Sequence, residues 1–151
     1  MSNIQSKNVY NKRMKLLSRE QFRTSVLARQ KGKCCVSDCE LSAVDAHHIL
    51  NRNLFTEEDE FGGYFFENGA QLCADHHLEA ELTLISPEQL RKYCEIDIPA
   101  IPHSLDPTHS YDCWGNHIVS EWVIVAGPLF KNEGCQKALK RSQKLWRVQE
   151  I

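Results

Sequence analysis

Four of the seven cysteines and four of the seven histidines fall between Cys34 and Glu81, in three tight groups. The first is Cys34-Cys35-Val36-Ser37-Asp38-Cys39 and the second Asp45-Ala46-His47-His48-Ile49. The third, Cys73-Ala74-Asp75-His76-His77, follows Asn68. Thiolates and imidazoles at such spacings are metal ligands. A structural zinc ion takes four, and two short chelating turns satisfy tetrahedral geometry where one tight turn cannot. Cys34-x₄-Cys39 and Cys73-x₂-His76 are two such turns, with 33 residues between them. Cys35 competes with Cys34 for the first position. The longer turn favours Cys34 and leaves Cys35 to pack as a small hydrophobe.

The remaining polar residues suit a second, chemically active centre. Adjacent histidines on a strand point to opposite sides, so one of His47 and His48 can bind a metal while the other faces elsewhere. That division fits phosphodiester hydrolysis. One imidazole activates water near neutral pH, and a divalent cation stabilises charge on the phosphorane and the leaving oxygen. On a helix, His77 stands about 100° round from His76 and faces a different site. Glu81, four residues on, shares the face of His77, where a second metal ligand would sit. Asp45 is placed to support a ligand from behind.

The order Cys-x₄-Cys, His-His-Ile, Asn, Cys-x₂-His-His resembles the HNH endonucleases, the ββα-metal or His-Me finger nucleases, over about residues 30–85. The resemblance implies an α+β fold: a small ββα-metal core with structural zinc, flanked by N-terminal and C-terminal helices. It implies a metal-dependent DNA endonuclease in which His48 is the general base and His47 and His77 ligate a catalytic Mg²⁺ or Mn²⁺. Asn68 would orient the base or touch the metal. Glu81 departs from relatives that carry a second histidine there; it is a ligand candidate, with a supporting or salt-bridge role as the alternative. Arg52 is a candidate phosphate clamp, because a guanidinium grips phosphate bidentately; the alternative is an ion pair with the acidic run Glu57–Glu60. Double-stranded DNA is the expected partner, with a homodimer an option. A zinc-knuckle module that binds without cutting, and an HNH nuclease acting on RNA, are the competing readings.

Several elements must position these groups. Ser18 and Gln21 form a capping-box pattern opening a helix over 18–30 that Gly32 stops. Its Arg19, Arg23 and Arg29, with Lys31 and Lys33, make a basic patch that is either a solvated face or a phosphate contact. A short strand is expected over 44–50, a long functional loop over 51–67, a strand at Gln71-Leu72 and a helix over 74–84. Ser86 caps a further helix with Pro87 at its first position, ending near Cys94. The three prolines of 98–107 suggest a linker or a loop across the surface. Beyond it come an aromatic turn at 111–116, a strand over 118–125 and a basic amphipathic helix over 134–148. The expected organisation is a flexible polar arm (1–17), an HNH domain (18–97, core 34–84) and a C-terminal extension (98–151) serving DNA contact or dimerisation.

Bulk properties bound the rest. A chain of 151 residues with 42% apolar content makes a modest core, for which a metal staple is a natural supplement. The net charge of −2 gives nucleic-acid binding no general support, so any such surface must be local. An odd cysteine count and a polar N-terminus lacking a signal-peptide pattern point to a reducing, cytoplasmic setting. No apolar run is long enough for a membrane span.

Overall fold

The computed structural model describes residues 14–144 and 146–149. Most of the expected arm (residues 1–13), and Leu145 of the expected last helix, lie outside the described residues. The architecture mixes helix and strand in an α+β arrangement. No helix among the described residues is long and apolar enough to cross a membrane.

Helix α1 spans Arg19–Ala28 and opens on the expected capping box, with Ser18 and Gln21 each bonding the other's backbone N–H. Phe22 and Val26 form its buried stripe. They pack on an antiparallel pair, β1 (Asp45–His48) and β2 (Gly69–Leu72), in the register Asp45↔Leu72 to His48↔Gly69. Gly69 is required by this contact, since a Cβ there would lie 2.3 Å from Val26 Cγ2. Helix α2 (Ala74–Glu81) follows β2 directly, so strand, strand and helix succeed one another around the histidines. Helix α3 (Pro87–Tyr93) carries a second capping box, Ser86 with Gln89.

Two apolar clusters hold the molecule together. One gathers Ile49, Ala70, Leu72, Ala80 and Leu90 around Cys34, Cys35, Cys73 and Cys94. The other gathers Leu50, Leu54, Phe55 and Phe65 with Ala100, Ile101, Leu105 and Tyr111. The proline-rich segment therefore supplies core side chains and is neither a linker nor a surface strap. Its apolar residues between the prolines sink into the space above the 50–65 loop.

The C-terminal part differs from expectation in two ways. The run over 118–125 is a hairpin, β3 (His117–Ser120) and β4 (Val123–Val125), turning at Glu121 and Trp122. Helix α4 spans only Glu133–Arg141. Its continuation is broken where Gln143 takes φ 59°, and Arg147–Gln149 pairs parallel with β4 as strand β5. Cross-strand pairing outweighed a helical pattern that local sequence alone supported.

Candidate metal centre and adjoining cleft

The knuckle forms from two turns. Residues 36–39 close through Cys39 N–H to the Val36 carbonyl at 3.1 Å, with Asp38 left-handed at φ 65°. The second turn is the junction of β2 with α2. Together they bring Cys34, Cys39, Cys73 and His76 so close that one ligand atom from each lies within 4.8 Å of all the others. His76 Nδ1 is 3.4 Å from Cys34 Sγ and 3.3 Å from Cys73 Sγ. A tetrahedral zinc ion with ordinary bond lengths separates sulfur and nitrogen by about 3.5 Å. The donor set fits, and the cluster could hold a metal such as zinc. Burial pushes the Cys34 thiol up to about 11, so a thiolate there calls for a cation beside it. Glu79 lies 3.6 Å from His76 Nε2, where it favours the tautomer whose free lone pair is on Nδ1. Cys35 is not in the set. It packs beneath, where a hydrogen bond with Cys94 leads the causes that raise its pKa.

On the other face of β1 and α2 lies a cleft of about 500 Å³, lined by His47, His48, Arg52, His77 and Glu81 with Arg19, Arg23, Tyr64 and Trp114. His48 is held on several sides. Its ring stacks on Phe22 at 4.7 Å and meets the edge of Tyr64 at 5.2 Å. Nε2 is 3.1 Å from the Gly62 carbonyl, which requires an N–H there and leaves the lone pair on Nδ1. Burial, together with the Arg52 and Arg19 charges, lowers its pKa to about 4, so the ring is neutral at pH 7. His47 is 7% exposed and burial lowers its pKa to about 3. Its Nε2 has no hydrogen-bond partner among the described residues. A buried nitrogen left so is uncommon and costly.

His77 sits at 5.2 Å, ring to ring, from His47. Its Nδ1 is 3.0 Å from Asp45 Oδ2, and its Nε2 is 3.3 Å from Glu81 Oε1. With the Nδ1 proton given to Asp45, the Nε2 lone pair confronts a carboxylate oxygen. An imidazole nitrogen and a carboxylate oxygen so placed are a pair that a cation could bridge. His47, His77 and Glu81 nevertheless do not converge as the knuckle does, because their ligand atoms do not form a set within 4.8 Å.

Asn68 is fully buried and engages only backbone. Its Oδ1 accepts from Leu50 N–H at 3.0 Å, and its Nδ2 donates to the carbonyls of Leu50 at 3.0 Å and Gly63 at 3.2 Å. None of these bonds goes to the His48 ring; they tie down the loop whose Gly62 carbonyl receives His48. Arg52 is exposed and, like Arg19 and Arg23, makes no ion pair among the described residues. The acidic run does not attract it. Glu60 instead turns inward, 1% exposed, to cap Thr56, Glu57 and His103 N–H groups.

The basic patch also divides. Arg29 is spent on the Gly69 and Phe66 carbonyls and lies over the Phe66 ring, and Lys33 pairs with Glu40. Only Arg19 and Arg23 turn to the cleft. Tyr64 and Trp114 carried no recognised motif, although the aromatic turn containing Trp114 is visible in the sequence. Compared with protein-family models, with curated proteins and with solved structures, the chain matches none.

Proposed function

We propose that the protein is a metal-dependent endonuclease of the HNH type, hydrolysing phosphodiester bonds of DNA. The observation that carries this reading is His48. It is a neutral imidazole with one nitrogen anchored on the Gly62 carbonyl and the other left as a base, beside three cationic side chains. His48 Nδ1 takes a proton from water as the water attacks phosphorus. Arg52 grips non-bridging phosphate oxygens and aligns the ester. The donor set suits a divalent cation on the other side: a buried His47 Nε2 without a partner, and a His77 Nε2 facing the Glu81 carboxylate. Such a cation, Mg²⁺ or Mn²⁺, would supply positive charge for the phosphorane and the leaving oxygen. Asp45 holds His77 in the tautomer this needs.

The test is plasmid nicking in Mg²⁺ or Mn²⁺ by wild type and by His48→Ala. Loss of the base is expected to slow cleavage by a factor on the order of 10²–10⁴. Equal cleavage by the two proteins would overturn the assignment. The non-converging trio His47, His77 and Glu81 favours a second reading, a zinc module that binds nucleic acid without cutting it. Retained binding with no cleavage of DNA or RNA would select that one.

A further inference from the structure

The cleft takes in more than a phosphate. Its volume of about 500 Å³ lies within the range of about 300–1,000 Å³ typical of sites that enclose most of a small ligand. Part of the lining is basic. Arg19 and Arg23 stand one turn apart on α1, about 6 Å along the axis, and Arg52 lies beyond β1. Glu81 is the lone carboxylate among the lining residues.

Another part is aromatic and fixed. The Trp114 indole donates its Nε1–H to the Glu81 carbonyl at 3.3 Å. Its far edge lies so close to Gly134 that a Cβ there would meet Cη2 at 2.8 Å. Its own backbone N–H is bonded to Asp112 Oδ1 at 3.0 Å. The indole is thus held at its nitrogen and at its backbone where it lines the cleft.

We infer that this cleft selects an unpaired stretch of nucleic acid, holding successive phosphates on Arg19, Arg23 and Arg52 and stacking a splayed base on Trp114. The inference rests on the proposed nuclease reading. Phosphate contacts alone position any strand and need neither a concave cleft nor an aromatic side chain in its lining. In a duplex the bases are stacked on one another and offer only their edges. A basic groove combined with an aromatic platform is how single strands are held, because every base has a π-face once it is unpaired.

The experiment is fluorescence anisotropy with the wild-type protein and no added divalent cation. The probes are labelled oligonucleotides of one sequence, as single-stranded DNA, single-stranded RNA and blunt DNA duplex. A single strand is expected to bind at least tenfold tighter than duplex, and the two single-stranded probes report which sugar is preferred. Three phosphate contacts give a slope of log K against log salt of about −2, and Arg23→Ala reduces it by about 0.7. Trp114→Ala weakens single-strand binding on the order of tenfold and leaves duplex binding unchanged, while Trp114→Phe retains most of it.

Duplex binding as tight as single-strand binding overturns the inference, as does an equal loss on both in Trp114→Ala. If Trp114→Ala does not fold, the salt slope decides, and a slope unchanged in Arg23→Ala overturns it. Single-strand binding without cleavage in Mg²⁺ or Mn²⁺ leaves the inference standing and removes the hydrolase. Plasmid cleavage without a single-strand preference does the reverse.

Discussion

Asn68 donates its amide to the Gly63 carbonyl at 3.2 Å, one residue beyond the carbonyl that receives His48. The relationship links Asn68 to the imidazole through backbone, by way of the segment that receives His48. Gly63 is itself constrained, with φ 64° and the Phe55 ring 2.6 Å from where a Cβ would stand. The loop is thus pinned by a buried amide on one side and a buried ring on the other.

Replacing Asn68 by alanine removes its three side-chain bonds and leaves the Leu50 N–H and carbonyl without those partners, while the Gly63 carbonyl keeps the Phe65 N–H at 2.9 Å. A loss of about 2–4 kcal/mol is expected. Urea unfolding monitored by circular dichroism measures it. A change under 1 kcal/mol would show that water replaces the amide and that the loop does not depend on it.

The choice between Cys34 and Cys35 leads to a sharp comparison. Cys34→Ser and Cys73→Ser are expected to lose bound zinc, measured as metal per protein by plasma emission. Cys35→Ser, outside the ligand set, is expected to keep it. Retention of one zinc per chain by Cys34→Ser would move the ligand to Cys35. Chelation of the wild-type metal should unfold the 34–81 region, because its apolar cluster is built around the knuckle cysteines.

Features that local chemistry dictates are legible in the sequence. The boxes Ser18/Gln21 and Ser86/Gln89 are side chains bonding backbone three residues away, so their spacing is visible in the sequence. The two chelating turns are visible for the same reason. What was not legible depends on partners distant in the chain. Arg147–Gln149 becomes a strand only because β4 lies alongside, and the prolines of 98–107 conceal Ile101 and Leu105, which are buried by residues fifty positions earlier. Asn68 shows the same limit within the site. Its place in the pattern is plain, but that it bonds backbone and not the imidazole is known only from the fold.

Asp112 gives a pH dependence independent of any metal. Its carboxyl is 2% exposed, and burial pushes it up to about 6 despite the Asn116 and Trp114 N–H groups it accepts. A raised acid binds its proton more tightly in the folded state, so stability falls as pH rises from about 4 through 6 and is flat above. The shift corresponds to about 3 kcal/mol. Asp112→Asn does not titrate. Its stability relative to wild type should therefore rise by about that amount between pH 4 and pH 7, measured by urea unfolding at each pH. A difference independent of pH would place the Asp112 carboxyl at its ordinary value.

Asp45 tests whether the His77 tautomer matters to chemistry. As carboxylate it accepts the Nδ1 proton at 3.0 Å and directs the Nε2 lone pair towards Glu81 and the cleft. In Asp45→Asn the amide can rotate to present N–H to Nδ1, so the ring is offered the opposite tautomer, with its proton on Nε2. A group that orients a metal-binding histidine typically contributes 10- to 100-fold in affinity or activity, and a loss of about that size in plasmid nicking is expected. Raising Mn²⁺ should recover much of it, since weaker cation binding is offset by mass action, whereas His48→Ala should not respond. Asp45 is 43% exposed at its side chain and outside both apolar clusters, so the fold should tolerate the change. Unaltered nicking in Asp45→Asn at low Mn²⁺ would mean that His77 is set by Glu81 alone.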